Sequence, residues 1–391
     1  MKAVVPVTIG LGLTLTGCGG TQTGDMSGYN SGNGSRSLDN STVPSATSFG
    51  AATLGSKLLP LQNGRQGFVA GFNVSSFTGQ PDRELGKSPL LGEAEPGYSS
   101  KLVASTMQDM AGVGSNVIRI RLFQKLNGLK LDSGGLVSGL DDAFQKNLSD
   151  LLDKAEASKM QVYVCLLDSW SESAIAKNPL TDVNAKNAFL KKAITPLVAK
   201  LKGRSSVFAI DLFGEIESQI SGKDGNKTDK GISWDQARTF LKSTLDVVKS
   251  VDPQRLVSAS SGLHETDNVK SGKFSKLGLD FFDVHMFDDK GVLPPARELK
   301  LDRPVLIGAC GQSSKTSDAE LQTKTDMAFL DSAMKQGYAG AILSDFSKNG
   351  DSPLNLLDKE GKHRPALAQF QSFVGLINAS LPNSGTATVG K

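Results

Sequence analysis

From residue 65 onward, short apolar runs alternate with amphipathic stretches. The runs are GFVAGFNV (67–74), NVIRIRLF (116–123), QVYVCLL (161–167), VFAIDLF (207–213), RLVSAS (255–260), LDFFDVHMF (279–287), PVLIGAC (304–310) and YAGAILSDF (338–346). Most are continuously apolar rather than alternating, the pattern of a parallel strand covered on its outer face. Between them, 141–159 places Phe144, Leu148, Leu151, Leu152 and Ala155 on one helical face, and 234–251 does the same with Phe240, Leu241, Leu245 and Val248. A third helix, 318–337, stops at Gly337. Eight strands alternating with helices predict a (β/α)8 TIM barrel. An open doubly wound sheet usually carries a glycine-rich loop after its first strand, and GFNVSSFTG matches that poorly.

The first sixty residues follow a different pattern. MKAVVPVTIGLGLTLTGCGG has a positive start at Lys2 and an apolar stretch, 3–15, too short to span a bilayer. Leu15-Thr16-Gly17-Cys18 then resembles the bacterial lipobox, which predicts a signal peptide over 1–17 and lipidation of Cys18. An ordinary signal peptide that happens to contain a cysteine is the alternative. Gly19 in place of aspartate directs the expectation to the outer membrane rather than the inner. Residues 18–60 are rich in Gly, Ser, Thr and Asn without apolar period, and read as a flexible tether. A tether of roughly forty residues reaches some tens of ångströms by random-coil scaling. The barrel is expected over 61–380 and a loose tail over 381–391.

Composition narrows the function classes. A net charge of +3 leaves no electrostatic footprint for nucleic acid or for an anionic membrane surface, so any membrane contact is expected through the N-terminal lipid alone. Aromatic content of 6%, with two Trp and four Tyr, is thin for an enzyme of long polysaccharides. Three His, none at a paired ligand spacing, give no expectation of a metal site, and nothing calls for a cofactor. Cys165 and Cys310 read as buried, inert thiols on opposite sides of the barrel, too far apart for a disulfide.

In a barrel, chemistry gathers at the C-terminal ends of the strands. Those ends offer Asn73, then Arg119 and Arg121, Asp168 and Trp170, and Asp211, Glu215 and Glu217. Beyond them come His264 and Glu265, His285, Asp288 and Asp289, Ala309 and Cys310, and Asp345. On these motifs residues 65–378 resemble the cellulase-like barrels of glycoside hydrolase family 5 and its clan A. FVAGFNVSSF is similar to the clan's first strand, and GSNVIRIRLF to the second, where Arg119 fits an expected arginine. VFAIDLFGEIES stands where the family has Asn-Glu-Pro, placing Glu215 at the acid/base, Gly214 at the asparagine and Ile216 at the proline. VDPQRLVSASSG resembles the passage into the fifth strand. DVHMF resembles His-x-Tyr, with His285 retained and Phe287 lacking the hydroxyl. RPVLIGACGQ resembles Gly-Glu-Phe-Gly, with Ala309 at the nucleophile; GAILSDFS has Ser344 and Asp345 where the family places a tryptophan under the sugar.

A retaining mechanism needs two carboxyl groups about 5–5.5 Å apart. Ala309 cannot attack an anomeric carbon, so the resemblance implies the fold without the ordinary mechanism. Glu215 has two readings, an acid/base remnant or sugar-binding carboxylate, or a strand-end residue paired with Arg119 or Arg121. Asp211 and Glu217 read as structural or solvated, and His285 as a cleft residue or a satisfied core histidine. Asp168 with Trp170 could hold a hydroxyl and stack on a ring, or be a loop aspartate beside a half-buried indole. In a rewired inverting site Glu265, Asp288 or Asp345 would serve as the second carboxyl facing Glu215. The leading expectation is a lipid-anchored, glycan-binding barrel whose carbohydrate partner contacts Arg119, Asp168, Trp170, Gly214, His285, Phe287, Ala309 and Asp345. The alternatives are an active hydrolase with a displaced carboxylate and a structural envelope protein.

Overall fold

A computed structural model of the chain describes residues 58–380, apart from 63–65, 93, 171–172, 223–224, 226–230, 263–265, 314–317 and 348–351. The apolar runs form the strands expected of them: β1 (Val69–Val74), β2 (Val117–Arg121), β3 (Gln161–Cys165), β4 (Val207–Asp211), β6 (Phe282–Phe287), β7 (Val305–Gly311) and β8 (Gly340–Leu343). The fifth strand, β5, is broken at Ala259 into Leu256–Ser258 and Ser260–Ser261. Its first part pairs with β4 and its second with β6, all in parallel, so the sheet closes on itself through this strand. This is the (β/α)8 barrel that the periodicity predicts.

The helices that cover it are α1 (Ser100–Gly112), α2 (Asp142–Ala157), α3 (183–201), α4 (Trp234–Val251), α5 (Ala319–Lys335) and α6 (Pro365–Ser380). α3 runs through a π-helical turn at Leu190–Ile194. α4 begins on a reciprocal cap, in which Ser233 and Gln236 satisfy each other's backbone N–H. Among the described residues, the β5–β6 and β6–β7 crossovers carry only the single turns Asp267–Lys270 and Ala296–Leu299. After β2 the chain makes a hairpin, Leu129–Leu131 against Val137–Leu140.

Two apolar clusters result. The larger lies between the strands and the helices, and the smaller fills the barrel with Val69, Val117, Tyr163, Ala209, Leu306 and Ile342. Leu59 joins the inner cluster from a two-residue antiparallel pair, Leu59–Pro60 with Gln66–Gly67. Because Val69 and Val117 open their strands, Leu59 plugs the N-terminal end and leaves the C-terminal end for function. Among the described residues, pairing is first seen at Leu59, next to the barrel boundary expected at 61. Cys165 and Cys310 are buried free thiols on β3 and β7, well apart in strand order.

Candidate functional site

The floor of the C-terminal end is polar and fully packed. Arg119 on β2 and Asp211 on β4 are buried and pair at 2.6 Å. The second Asp211 oxygen accepts the backbone N–H of Ser260 at 3.1 Å and of Phe213 at 3.2 Å, while the Ser260 hydroxyl donates to Oδ2 at 2.7 Å. Arg119 Nη1 donates to Asn73 Oδ1 at 3.2 Å, and Asn73 passes the connection to the Gly308 carbonyl at 3.0 Å. Five strands are therefore tied at one level, and deleting either ion of the pair would strand a buried charge at a cost of roughly 3–5 kcal/mol.

Glu215 follows β4 in a left-handed conformation, φ 54°, that a non-glycine residue adopts rarely. This turns its side chain back over the barrel mouth, where it remains 34% exposed. Its Oε1 lies 2.7 Å from Nδ1 of His285 on β6. The sequence offered Arg119 or Arg121 as the ion partner; the guanidinium groups instead engage Asp211 and Asp168, and the imidazole takes Glu215. His285 is only 3% exposed, so it is a buried histidine and a cleft-floor residue at once. Below it, Asp283 Oδ2 stands 3.8 Å from Nε2, a Coulombic contact too long for a hydrogen bond. The Tyr163 hydroxyl donates to that same oxygen at 2.8 Å.

The charges settle one another. Burial and Arg119 pull the His285 imidazole down, but Asp283 and Glu215 outweigh them and raise it to about 9. Burial pushes the Glu215 carboxyl up, and the His285 hydrogen bond with the charges of His285, Arg119 and Arg121 more than reverses this, holding it below its ordinary value. At neutral pH the pair is imidazolium and carboxylate.

Two glycines make room for these side chains. A Cβ on Gly262, just past β5, would stand 2.3 Å from Glu215 Cδ, so the carboxylate lies directly over that backbone. A Cβ on Gly308 would meet Asp283 Oδ1 at 2.1 Å. Gly308 is the extra residue of a bulge, since Val284 pairs with Ile307 and His285 with Ala309. The bulge brings Ala309 alongside His285, where it is 5% exposed and presents a methyl group. Gly214 is not a hole: a Cβ there would lie 3.0 Å from Cys165 Sγ and 3.2 Å from Arg119 Nη2.

Around this floor, Asp168 accepts from Arg121 at 2.9 Å and from Gln124 at 3.4 Å, a partly exposed polar rim. Asp345, after β8, accepts from the Ser75 hydroxyl and from the Ser75 backbone N–H at 3.0 Å. Burial raises its carboxyl against the opposing pull of Ser75 and Arg121. Phe287 is half-buried at the end of β6. Trp170 departs from the stacking reading: it is 3% exposed and packs edge-on against Phe189 at 5.8 Å, with no face open to a sugar. Glu217 is buried rather than solvated, accepting from Ser261 and from Asn268 at 3.1 Å. Asp288 caps its own turn through the Lys290 and Gly291 N–H groups, and Asp289 accepts from Ser313 at 3.0 Å. His264, Glu265 and Cys18 lie outside the described residues. No group of three metal-ligating side chains forms among the described residues.

Sequence reasoning missed Asp283, Ser260, Ser75, Gly262 and Gly308. Asp283 did leave a signal, a carboxylate inside the otherwise apolar run DFFDVHMF.

No family model matches the chain. It is 22% identical over 329 residues to a mannan endo-1,4-beta-mannosidase of Cryptopygus antarcticus, covering 74% of this chain and 82% of that protein. In fold it is similar to the beta-1,4-mannanase of the sea hare Aplysia kurodai, with TM-score 0.58, 18% identity, and coverage of 80% of this chain and 95% of that one. An exo-beta-1,4-mannosidase from Opitutaceae bacterium strain TAV5 gives TM-score 0.62 at 16% identity, covering 87% and 63%. A GH5_18 structure from Streptomyces cattleya in complex with GlcNAc gives 0.60 at 17%, covering 84% and 82%. The fold is that of the family 5 barrels, as the strand motifs imply.

Proposed function

We propose that this chain is a glycan-binding barrel for β-linked, mannan-type saccharides, anchored in the bacterial envelope through lipidated Cys18, and without the retaining mechanism of the family it resembles. The observation that carries this reading is Glu215 on His285 beside a methyl group at Ala309. One carboxylate is presented to the mouth, while the position that would supply a nucleophile has no lone pair. Mannan as the ligand class is supported by the relatives, several of which are named for mannan or mannosides. Arg121, Asp168 and Gln124 form a rim of donors and acceptors suited to sugar hydroxyls. The Glu215 carboxylate, its proton held off by His285, suits accepting a hydroxyl hydrogen bond better than protonating a leaving group.

The test uses the full chain and its Glu215→Gln variant, with calorimetric titration of mannan and glucan oligosaccharides alongside a reducing-sugar release assay. Binding by the parent, about tenfold weaker in the variant and with release by neither, is the expected result. Release by the parent would replace this reading with hydrolysis. Absence of binding would leave a structural role. The hydrolytic reading has one observation in its favour: Asp345 offers a second carboxyl at the end of β8, and burial raises it in the direction a general acid needs.

A further inference from the structure

Glu215, His285, Asp283 and Tyr163 form a column from the barrel mouth into its interior, and its lower half lies beyond any ligand's reach. Asp283 is fully buried. Tyr163 donates to one of its oxygens, and the other has no hydrogen-bond partner. Such a carboxylate is expensive to bury unless a positive charge stands close by. One such charge is His285, whose Nε2 faces Asp283 and is likewise without a hydrogen-bond partner, and the other is the buried Arg119, which also interacts electrostatically with Asp283. Asp283 also fits only because Gly308 at the β7 bulge has no side chain. The space under the histidine is thus shaped for a carboxylate.

We infer that Asp283 is a positioning residue: from inside the barrel it holds His285 as an imidazolium, and through it fixes Glu215 as a stationary acceptor for ligand hydroxyls. The groups that face His285 are Glu215 after β4, Asp283 on its own strand, and Arg119 on β2; Tyr163 on β3 acts through Asp283 and Asp211 on β4 through Arg119. Arg119 opposes the imidazolium, so the two carboxylates must outweigh it together. With Asp283 neutralised, Glu215 alone would face burial and the Arg119 charge, and the imidazole would lose its proton nearer neutrality. A neutral imidazole could still hydrogen-bond Glu215, but it would no longer offset the carboxylate's charge, and the contact that holds the acceptor in place would be weaker.

The inference rests on the binding reading for its consequence and on titration for its substance. The experiment follows the imidazole nitrogens of the full chain by NMR from pH 5 to 9, with His285→Gln identifying the signal among the three histidines. The same series is run on Asp283→Asn. In the parent, His285 is expected to remain protonated through pH 7.5; in the variant it is expected to lose its proton at least one pH unit lower, about a tenfold change in its ionisation constant. In the same buffers, mannohexaose affinity is expected to be flat from pH 5.5 to 7.5 in the parent and to fall severalfold with rising pH in the variant. A His285 neutral at pH 7 in the parent would overturn the inference without any variant, which covers the case in which Asp283→Asn does not fold. An unchanged titration in a folded variant would overturn it equally. If the parent binds no saccharide, the binding reading fails, and the nitrogen titration still decides the role of Asp283.

Discussion

Ala309 stands beside His285, and His285 holds Glu215, so the side chain at 309 bears on the protonation of a carboxylate that belongs to another strand. With a methyl group at 309, Glu215 experiences the positive charges of His285, Arg119 and Arg121 and sits below its ordinary value. A carboxylate at 309 would add a like charge at close range, which disfavours ionisation of the first and raises its pKa. Ala309→Glu is therefore expected to raise the titration of Glu215, followed by carboxyl NMR. It should also allow slow release of reducing sugar from mannan, at no more than about 0.1 s⁻¹ against a typical enzyme turnover of ~10 s⁻¹. Adding Glu215→Gln to that variant should abolish the release. A titration that does not move would show that His285 and the arginines alone set the state of Glu215.

At the scale of elements, the site depends on how neighbouring strand ends support one another. Glu215 belongs to the β4 end but lies over Gly262 at the β5 end. The Gly262 backbone is not left-handed, so alanine there is conformationally acceptable, and its Cβ would collide with the carboxylate end of the Glu215 side chain. Gly262→Ala is expected to shift stability by less than about 1 kcal/mol while weakening glycan binding as much as Glu215→Gln does. Urea midpoints and calorimetric titration measure the two effects separately. The strands themselves were legible in the sequence because a strand buried on both faces must be apolar throughout. The helices α2 and α4 were legible from their stripes, and α5 from its stop at Gly337. Three other helices, α1, α3 and α6, were not: α1 buries only Val103, Met107 and Met110, and α3 loses its period at the π turn. Strand-end residues such as Glu215 and His285 were legible from their position after apolar runs. Their supports were not, because a glycine's lack of a Cβ and a serine's hydroxyl take meaning only from what lies opposite. The assignment of Trp170 failed for a related reason: in sequence an indole beside Asp168 looks like a platform, and only the packing of Phe189 shows that it faces inward.

For the whole molecule, the plug at Leu59 has a directional consequence. The barrel is closed at its N-terminal end, where the chain enters, so a ligand can approach only from the end that carries Glu215. The proposed anchor is Cys18, where a diacylated, N-acylated cysteine would hold the protein at a membrane far more firmly than a single chain can. Near-neutral charge adds no surface attraction of its own, so removing the lipid should remove the membrane contact entirely. In a Gram-negative host, the parent is expected in the detergent-extracted membrane fraction with incorporated radiolabelled palmitate. The Cys18→Ser chain should carry no label and pellet with no membrane fraction. Because the described interior clusters and charge column are built from residues 58 onward, saccharide affinity should be the same in the mature chain with or without lipid. A Cys18→Ser chain that still fractionates with membranes would assign the attachment to another segment and leave the leader as an ordinary signal peptide.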